Sequence, residues 1–291
     1  MLLAYFLNNA GYVPYAVVRT RYGRYVVRFD GEHVVRVRLV DRLPSDVRYA
    51  LVAVKAYDTV SIIDKVVGVP VVFQNGIGGV ELVRERLGVG YGAVVTYGVT
   101  RSGGVAEVRG VGEFVLPSSV GEVADALRAG GANVRVVADV EPYRWLKVIV
   151  NAAINPITAI LRARNGVILE DPSARALAEA VVREGVGVVD RLGIKLPGDP
   201  LSEVLRVAEA TRDNYSSMLQ DILNRRRTEV DYINGAIVLR GREVGVDAPV
   251  NYTLWLLVRA LEGVARYNHG LLMPQTRECP WRGIGFVLIV C

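Results

Sequence analysis

Lys147, Asn151 and Asn155 recur at steps of four within Arg144–Pro156, a run whose other members are mostly apolar. On a helix that spacing places the three side chains on one stripe, and the apolar surroundings predict a largely buried helix. A buried ammonium is costly unless paired, and a buried carboxamide needs partners for both its ends. Two readings follow: a packing network satisfied by neighbouring backbone, or a polar ligand lying along the stripe. Lysine usage bears on the choice. Of 35 lysines and arginines only four are lysines, Lys55, Lys65, Lys147 and Lys195. Arginine keeps its proton at any useful pH, whereas a desolvated lysine can release it. Lys147 is therefore a candidate proton donor or acceptor.

A chain of 291 residues, 51% hydrophobic and 22% charged, has room for two domains and a sizeable core. The net charge of +5 is spread along it, with no basic run longer than Arg225–Arg227. That gives no support to a nucleic-acid partner and fits a basic pocket for a phosphorylated or carboxylate ligand. Both cysteines, Cys279 and Cys291, fall in the last thirteen residues, which argues against a disulfide framework and for a cytoplasmic setting. No stretch approaches the roughly 20 apolar residues of a membrane span. The apolar start, Met1–Asn9, lacks the basic leader of a signal peptide. His33 and His269 share no metal-like spacing, so no metal is expected.

The elements that must position Lys147 fall into two textures. In the first half, helix Leu2–Ala10 ends at Gly11, and strands are expected at Val13–Arg19, Tyr49–Val54, Val69–Phe73 and Asn133–Val137. Tyr25–Asp41 reads as a hairpin about Asp30-Gly31. Ala93–Thr100 and Gly104–Leu116 read as strands joined at Ser102–Gly104, followed by helix Val120–Ala129. This alternation predicts an open α/β sheet, with ligands at the carboxyl ends of its strands. Beyond about Val140 helical periods dominate: Pro142–Leu161, Pro172–Leu192, Pro200–Asp213, Ser216–Leu223, Thr228–Val244 and Tyr252–Tyr267. The expected domains are 1–140, 141–267 and an atypical tail, 268–291, whose apolar end is a docked strand, an exposed patch or an artefact.

Five segments together carry a family resemblance: Leu51–Ala56, Gln74–Gly78, Trp145–Ala159, Ser216–Asp221 and Thr228–Gly235. Over about residues 1–265 the chain resembles the ketopantoate reductases, NADPH-dependent 2-dehydropantoate 2-reductases of pantothenate and coenzyme A synthesis. The resemblance implies a Rossmann-like NADP-binding domain followed by an all-α substrate and dimerisation domain, and so a possible homodimer. It implies that Lys147 is the general acid and that Asn151, Asn155 and Asn165 bind substrate. It assigns the substrate carboxylate to Asn214, Ser216 and Ser217, with Tyr215 between them. Glu229 resembles the acidic residue beside nicotinamide and substrate hydroxyl, and Asn75 the asparagine between cofactor and substrate. Lys55 and Gly98 are similar to cofactor contacts. Arg19 resembles the arginine at the NADPH 2′-phosphate, in keeping with the rule that a cation there accommodates NADP.

Other readings stand beside these. Glu229 at a helix start complements the dipole, Ser216 and Ser217 are potential N-caps, Asn75-Gly76 is a turn dipeptide, and Lys55 could be a surface lysine. The family also opens with a strand and a Gly-x-Gly-x-x-Gly turn that holds the pyrophosphate. Met1 falls just after that turn, so the first strand of the sheet is expected to be missing. The expected function is reduction of 2-dehydropantoate by NADPH. The alternatives are a related reductase of another 2-keto acid, and a catalytically silent binding protein lacking the phosphate loop.

Overall fold

The computed structural model describes residues 1–267 and 286–290, with side chains to Val264. The chain divides into two compact units, one of Met1–Glu141 with the strand Phe286–Val290, the other beginning at Pro142. The remaining tail, with His269 and both cysteines, lies outside the described residues.

The first unit opens with α1 (Leu2–Asn9) and β1 (Tyr15–Val18). Next come β2 (Val26–Arg28), β3 (Glu32–Val34), β4 (Arg38–Leu39), β5 (Tyr49–Val52) and β6 (Val69–Val72). They are followed by α2 (Gly79–Leu87), β7 (Tyr91–Gly92), β8 (Val94–Val95), β9 (Gly98–Ser102), β10 (Val105–Gly110), β11 (Phe114–Pro117), α3 (Gly121–Ala129) and β12 (Val134–Val137). The tail supplies β13 (Phe286–Val290). The main sheet has the order β4-β1-β13-β5-β6-β7. Here β5, β6 and β7 run parallel, as do β1 and β4, while β13 lies antiparallel to both β1 and β5. The strands β1, β5 and β6 therefore share one carboxyl edge.

Alternation of side chains gives this sheet two apolar faces. Ala16, Leu51 and Val71 join one core with Phe6 and Leu7 of α1 and Leu127 of α3, where Phe6 meets Phe114 edge-on at 6.0 Å between ring centroids. Val17, Ala50, Val52 and Val72 join the other with Val80 and Val83 of α2. Both faces are covered, as an open Rossmann-like sheet requires. Smaller sheets, β3-β2-β10-β9 and β12-β11-β8, complete the unit.

Several expectations need correcting. The hairpin about Asp30-Gly31 forms between β2 and β3 but stops at Val34, and Arg38–Leu39 crosses to pair with β1. The strand expected over Ala93–Thr100 is broken, and the one over Gly104–Leu116 is split around Val111–Glu113. Helix α2 was not expected. The apolar tail end is a docked strand, one of the three readings, paired between β1 and β5.

The second unit is helical: α4 (Glu141–Leu161), α5 (Val167–Glu170), α6 (Pro172–Arg191), α7 (Pro200–Ala210), α8 (Ser217–Leu223), α9 (Asn234–Glu243) and α10 (Pro249–Tyr267). Local chemistry sets its helix starts. Asp171 and Asp199 each accept a hydrogen bond from the backbone N–H three residues on, at 2.8 Å, with proline at the first helical position. Thr228–Val244 is not one helix: a 3-10 turn, Val230–Tyr232, precedes α9, and Glu229 sits at the start of that turn.

Candidate active site

Helix α4 presents Lys147, Asn151 and Asn155 on successive turns. Lys147 and Asn151 are half-buried, and Asn155 is buried. Although Lys147 keeps some accessible surface, its surroundings are dense enough that burial draws the ammonium pKa from 10.5 to about 8. The negative charge of Glu229, itself only 5% exposed, acts in the opposite direction. The carboxamides of Asn151 and Asn155 make no hydrogen bond with any other described residue. The packing-network reading therefore leaves two amides on this stripe unengaged.

Two segments are tied to α4 beside the stripe. The Asn234 side chain donates to the Ala152 carbonyl at 3.2 Å, which anchors the segment carrying Glu229. The Thr158 hydroxyl donates to Ser216 Oγ at 2.7 Å, which anchors the start of α8 next to Asn155. Ser216 also accepts from the Leu219 backbone N–H at 3.2 Å, so it is the N-cap of α8. Asn214, Tyr215 and Ser217 around it are exposed. Asn165 is placed differently: its backbone N–H donates to the Asn214 carbonyl and its Nδ2 to Thr211 Oγ1 at 2.8 Å. Its Oδ1 is buried without a partner. Ammonium, carboxylate, carboxamides and hydroxyls thus converge on one helix, an arrangement able to hold a carboxylate and protonate an oxygen.

In the first unit Arg19, Lys55 and Asn75 follow β1, β5 and β6 at their shared carboxyl edge. Arg19 Nη2 pairs with Asp58 Oδ1 at 2.9 Å, with the arginine side chain 44% exposed. The guanidinium keeps accessible surface at this edge, while Asp58 is 18% exposed. Lys55 and Asn75 are half-buried. Gly98 is exposed at the start of β9, opposite Gly110. The two cations and an amide on the carboxyl edge fit the phosphates and polar ends of a dinucleotide. Among the described residues no three His, Cys, Asp or Glu side chains cluster as metal ligands, and no helix is long and apolar enough to cross a membrane.

Sequence reasoning did not single out Asp58, Thr158, Asn234 or the α10 residues that contact the Glu229 segment. Thr158 was the most accessible of these, one helical step beyond Asn155 on the same stripe.

A Rossmann-like sheet unit is followed by a helical unit bearing a half-buried lysine whose pKa is drawn down, a combination compatible with the nicotinamide-dependent oxidoreductases. Residues 1–121 match the family described as "Ketopantoate reductase PanE/ApbA", and residues 139–262 its C-terminal counterpart. The chain belongs to the ketopantoate reductase family. It is 49% identical over 263 residues to the 2-dehydropantoate 2-reductase of Pyrobaculum aerophilum, covering 90% of this chain and 94% of that one. Its fold matches the PanE/ApbA family ketopantoate reductase of Ralstonia eutropha JMP134, with a TM-score of 0.76 and 28% identity over 83% of this chain and 86% of that one. It also matches a dimeric ketopantoate reductase from Staphylococcus aureus in fold, with a TM-score of 0.76 and 20% identity over 91% and 95% of the two chains.

Proposed function

We propose that this protein reduces 2-dehydropantoate to pantoate with NADPH, as a step of pantothenate and coenzyme A synthesis in the cytoplasm. The observation that carries the reading is the α4 stripe: a lysine with its pKa drawn to about 8, aligned with two unengaged carboxamides and coupled to Glu229. The match to 2-dehydropantoate 2-reductases supports the choice of substrate.

In this reading NADPH, when bound, supplies a hydride to the C2 carbonyl carbon. Lys147 Nζ gives its proton to the carbonyl oxygen as negative charge builds there, so the product is a neutral alcohol and the lysine is reprotonated from solvent. Before transfer, the ammonium stabilises that charge electrostatically. Asn151, Asn155 and Asn165 grip the substrate's polar groups. Asn214, Tyr215, Ser216 and Ser217 take its carboxylate near the start of α8. Glu229 orients the substrate hydroxyl and holds Lys147 protonated longer than burial alone would allow. Arg19, Lys55, Asn75 and Gly98 contact the cofactor, with Arg19 at the 2′-phosphate.

Residues 1–140 form the NADP-binding domain and 141–267 the substrate domain, which also dimerises. Exposed leucines support a homodimer. Leu161, Leu177 and Leu257 line an apolar groove of about 330 Å³ between α4, α6 and α10, and the Staphylococcus aureus relative is dimeric.

NADPH oxidation by the purified protein tests the proposal. Ketopantoate should be consumed much faster than 2-keto acids lacking the hydroxymethyl group. Equal rates would sink the specific substrate, and no oxidation with any of them would sink the reductase reading.

A further inference from the structure

Helix α10 carries a polar face, Asn251, Trp255, Arg259 and Glu262, at steps of four, four and three. Such spacing keeps all four on one side of a helix. Every one of them engages the segment Thr228–Asn234 that bears Glu229. Asn251 Oδ1 accepts from Asn234 Nδ2 at 3.1 Å. Trp255 Nε1 donates to Asp231 Oδ1 at 2.7 Å, and Arg259 Nη1 reaches the same oxygen at 3.5 Å. Glu262 Oε1 accepts from both the backbone N–H of Thr228, at 2.7 Å, and its hydroxyl, at 2.5 Å.

The last pair is the closest to Glu229. Thr228, 1% exposed, turns its hydroxyl oxygen to accept from the Val230 N–H at 3.2 Å, while the Tyr232 N–H donates to the Glu229 carbonyl at 2.9 Å. The backbone on the N-terminal side of Glu229 is thus tied through Thr228 to Glu262, and the Glu229 carbonyl closes the turn onto Tyr232. Burial works against a charged Asp231. Hydrogen bonds from Arg227 and Trp255, with the charges of Arg259 and Arg227, nevertheless hold its carboxyl below the ordinary pKa. The second anchor is therefore ionised and charge-assisted.

We propose that Glu262 is a positioning residue: through Thr228 it fixes the placement of Glu229 relative to Lys147, and the α10 face as a whole is the holder of that carboxylate. This rests on the reading above, in which Glu229 serves the reduction. Misplacement of a reacting group by about 1 Å can cost on the order of a hundredfold in rate. The structural alternative is that Glu262 only stabilises the packing of α10.

The two separate in a double-mutant cycle on the full chain, with NADPH and ketopantoate. Glu262→Ala should lower kcat about tenfold to a hundredfold with little change in the ketopantoate KM. Glu262→Gln, which keeps one acceptor oxygen, should recover part of the loss. In a Glu229→Ala background Glu262→Ala should cause no further loss, because its effect passes through the missing carboxylate. The basic limb of the kcat–pH profile should also move to lower pH in Glu262→Ala, as the displaced Glu229 raises the Lys147 pKa less. Full kcat in Glu262→Ala, or the same loss in both backgrounds, overturns the proposal. If Glu262→Ala does not fold, Thr228→Val removes the hydroxyl while leaving the backbone N–H for Glu262, and the same cycle with Glu229→Ala applies. An inactive wild type, or full activity in Glu229→Ala, refutes the functional reading instead.

Discussion

The Asn234 side chain donates to the carbonyl of Ala152 across 3.2 Å, joining the segment that carries Glu229 to the middle of the helix that carries Lys147. The bond falls between Asn151 and Asn155, so the carboxylate and the stripe share one fixed frame. It also makes Lys147 and Glu229 an electrostatic pair whose pH behaviour can be worked out.

Burial lowers the Lys147 pKa from 10.5 to about 8, and Glu229 opposes that shift. A general acid must carry its proton, so kcat for reduction should fall as pH rises through about 8. Glu229→Gln should move this limb to lower pH. Stability has the opposite slope. The folded pKa lies below the unfolded one, so the unfolded chain binds more protons between about 8 and 10.5, and this group makes stability rise with pH across that window. Steady-state rates and thermal melts from pH 6 to 10 check both, and a limb that does not move in Glu229→Gln contradicts the pairing.

Asn155→Ala removes a carboxamide that no described residue uses, so the fold should tolerate the change while substrate binding suffers. One lost hydrogen bond of about 1–1.5 kcal/mol predicts a roughly tenfold higher ketopantoate KM. An unchanged KM would remove Asn155 from substrate binding.

Arg19→Ala should weaken NADPH and leave NADH nearly untouched, narrowing the preference about tenfold to a hundredfold for a charge-assisted contact of 1.5–3 kcal/mol. KM values for both cofactors give the answer directly. Parallel losses for the two would place Arg19 away from the 2′-phosphate.

Gly235 lies where a Cβ would sit 2.9 Å from Trp255 Cε2 and 3.1 Å from Cζ2. Alanine favours a helix by about 1 kcal/mol over glycine, but the indole is rigid and held by Asp231. Overpacking of about 1–3 kcal/mol should win, and Gly235→Ala should melt a few degrees lower. On α6 the nearest atom to a Cβ at Gly187 is 3.7 Å away, so Gly187→Ala should match or exceed the parent. A stabilised Gly235→Ala would show that α10 gives way easily.

Much of this was legible in the sequence because it rests on local periodicity. The run Pro142–Leu161 has a 3.6-residue apolar pattern strong enough to fix α4 within one residue, and the stripe follows from its spacing. Helix α2 was hidden because only Val80 and Val83 are large apolar residues on its buried face, and glycines bracket it at both ends. In the split of Thr228–Val244, the turn Val230–Tyr232 is preceded by Thr228, whose N–H is taken by Glu262, more than thirty residues away in the chain, a partner that no local pattern shows. The slot taken by β13 is likewise a long-range pairing, with Tyr15 opposite Ile289, that no local pattern announces. The α10 face had a readable signal in its four polar residues, but their partners appear only in the folded chain.

In the proposed reaction Lys147 delivers the proton. Lys147→Ala, assayed for NADPH-dependent ketopantoate reduction alongside NADPH binding, tests it most directly. kcat should fall by a factor of about 10²–10⁴, as for loss of a general acid, with cofactor affinity within a few fold of the parent. Turnover equal to the parent's, at the same cofactor affinity, would contradict it.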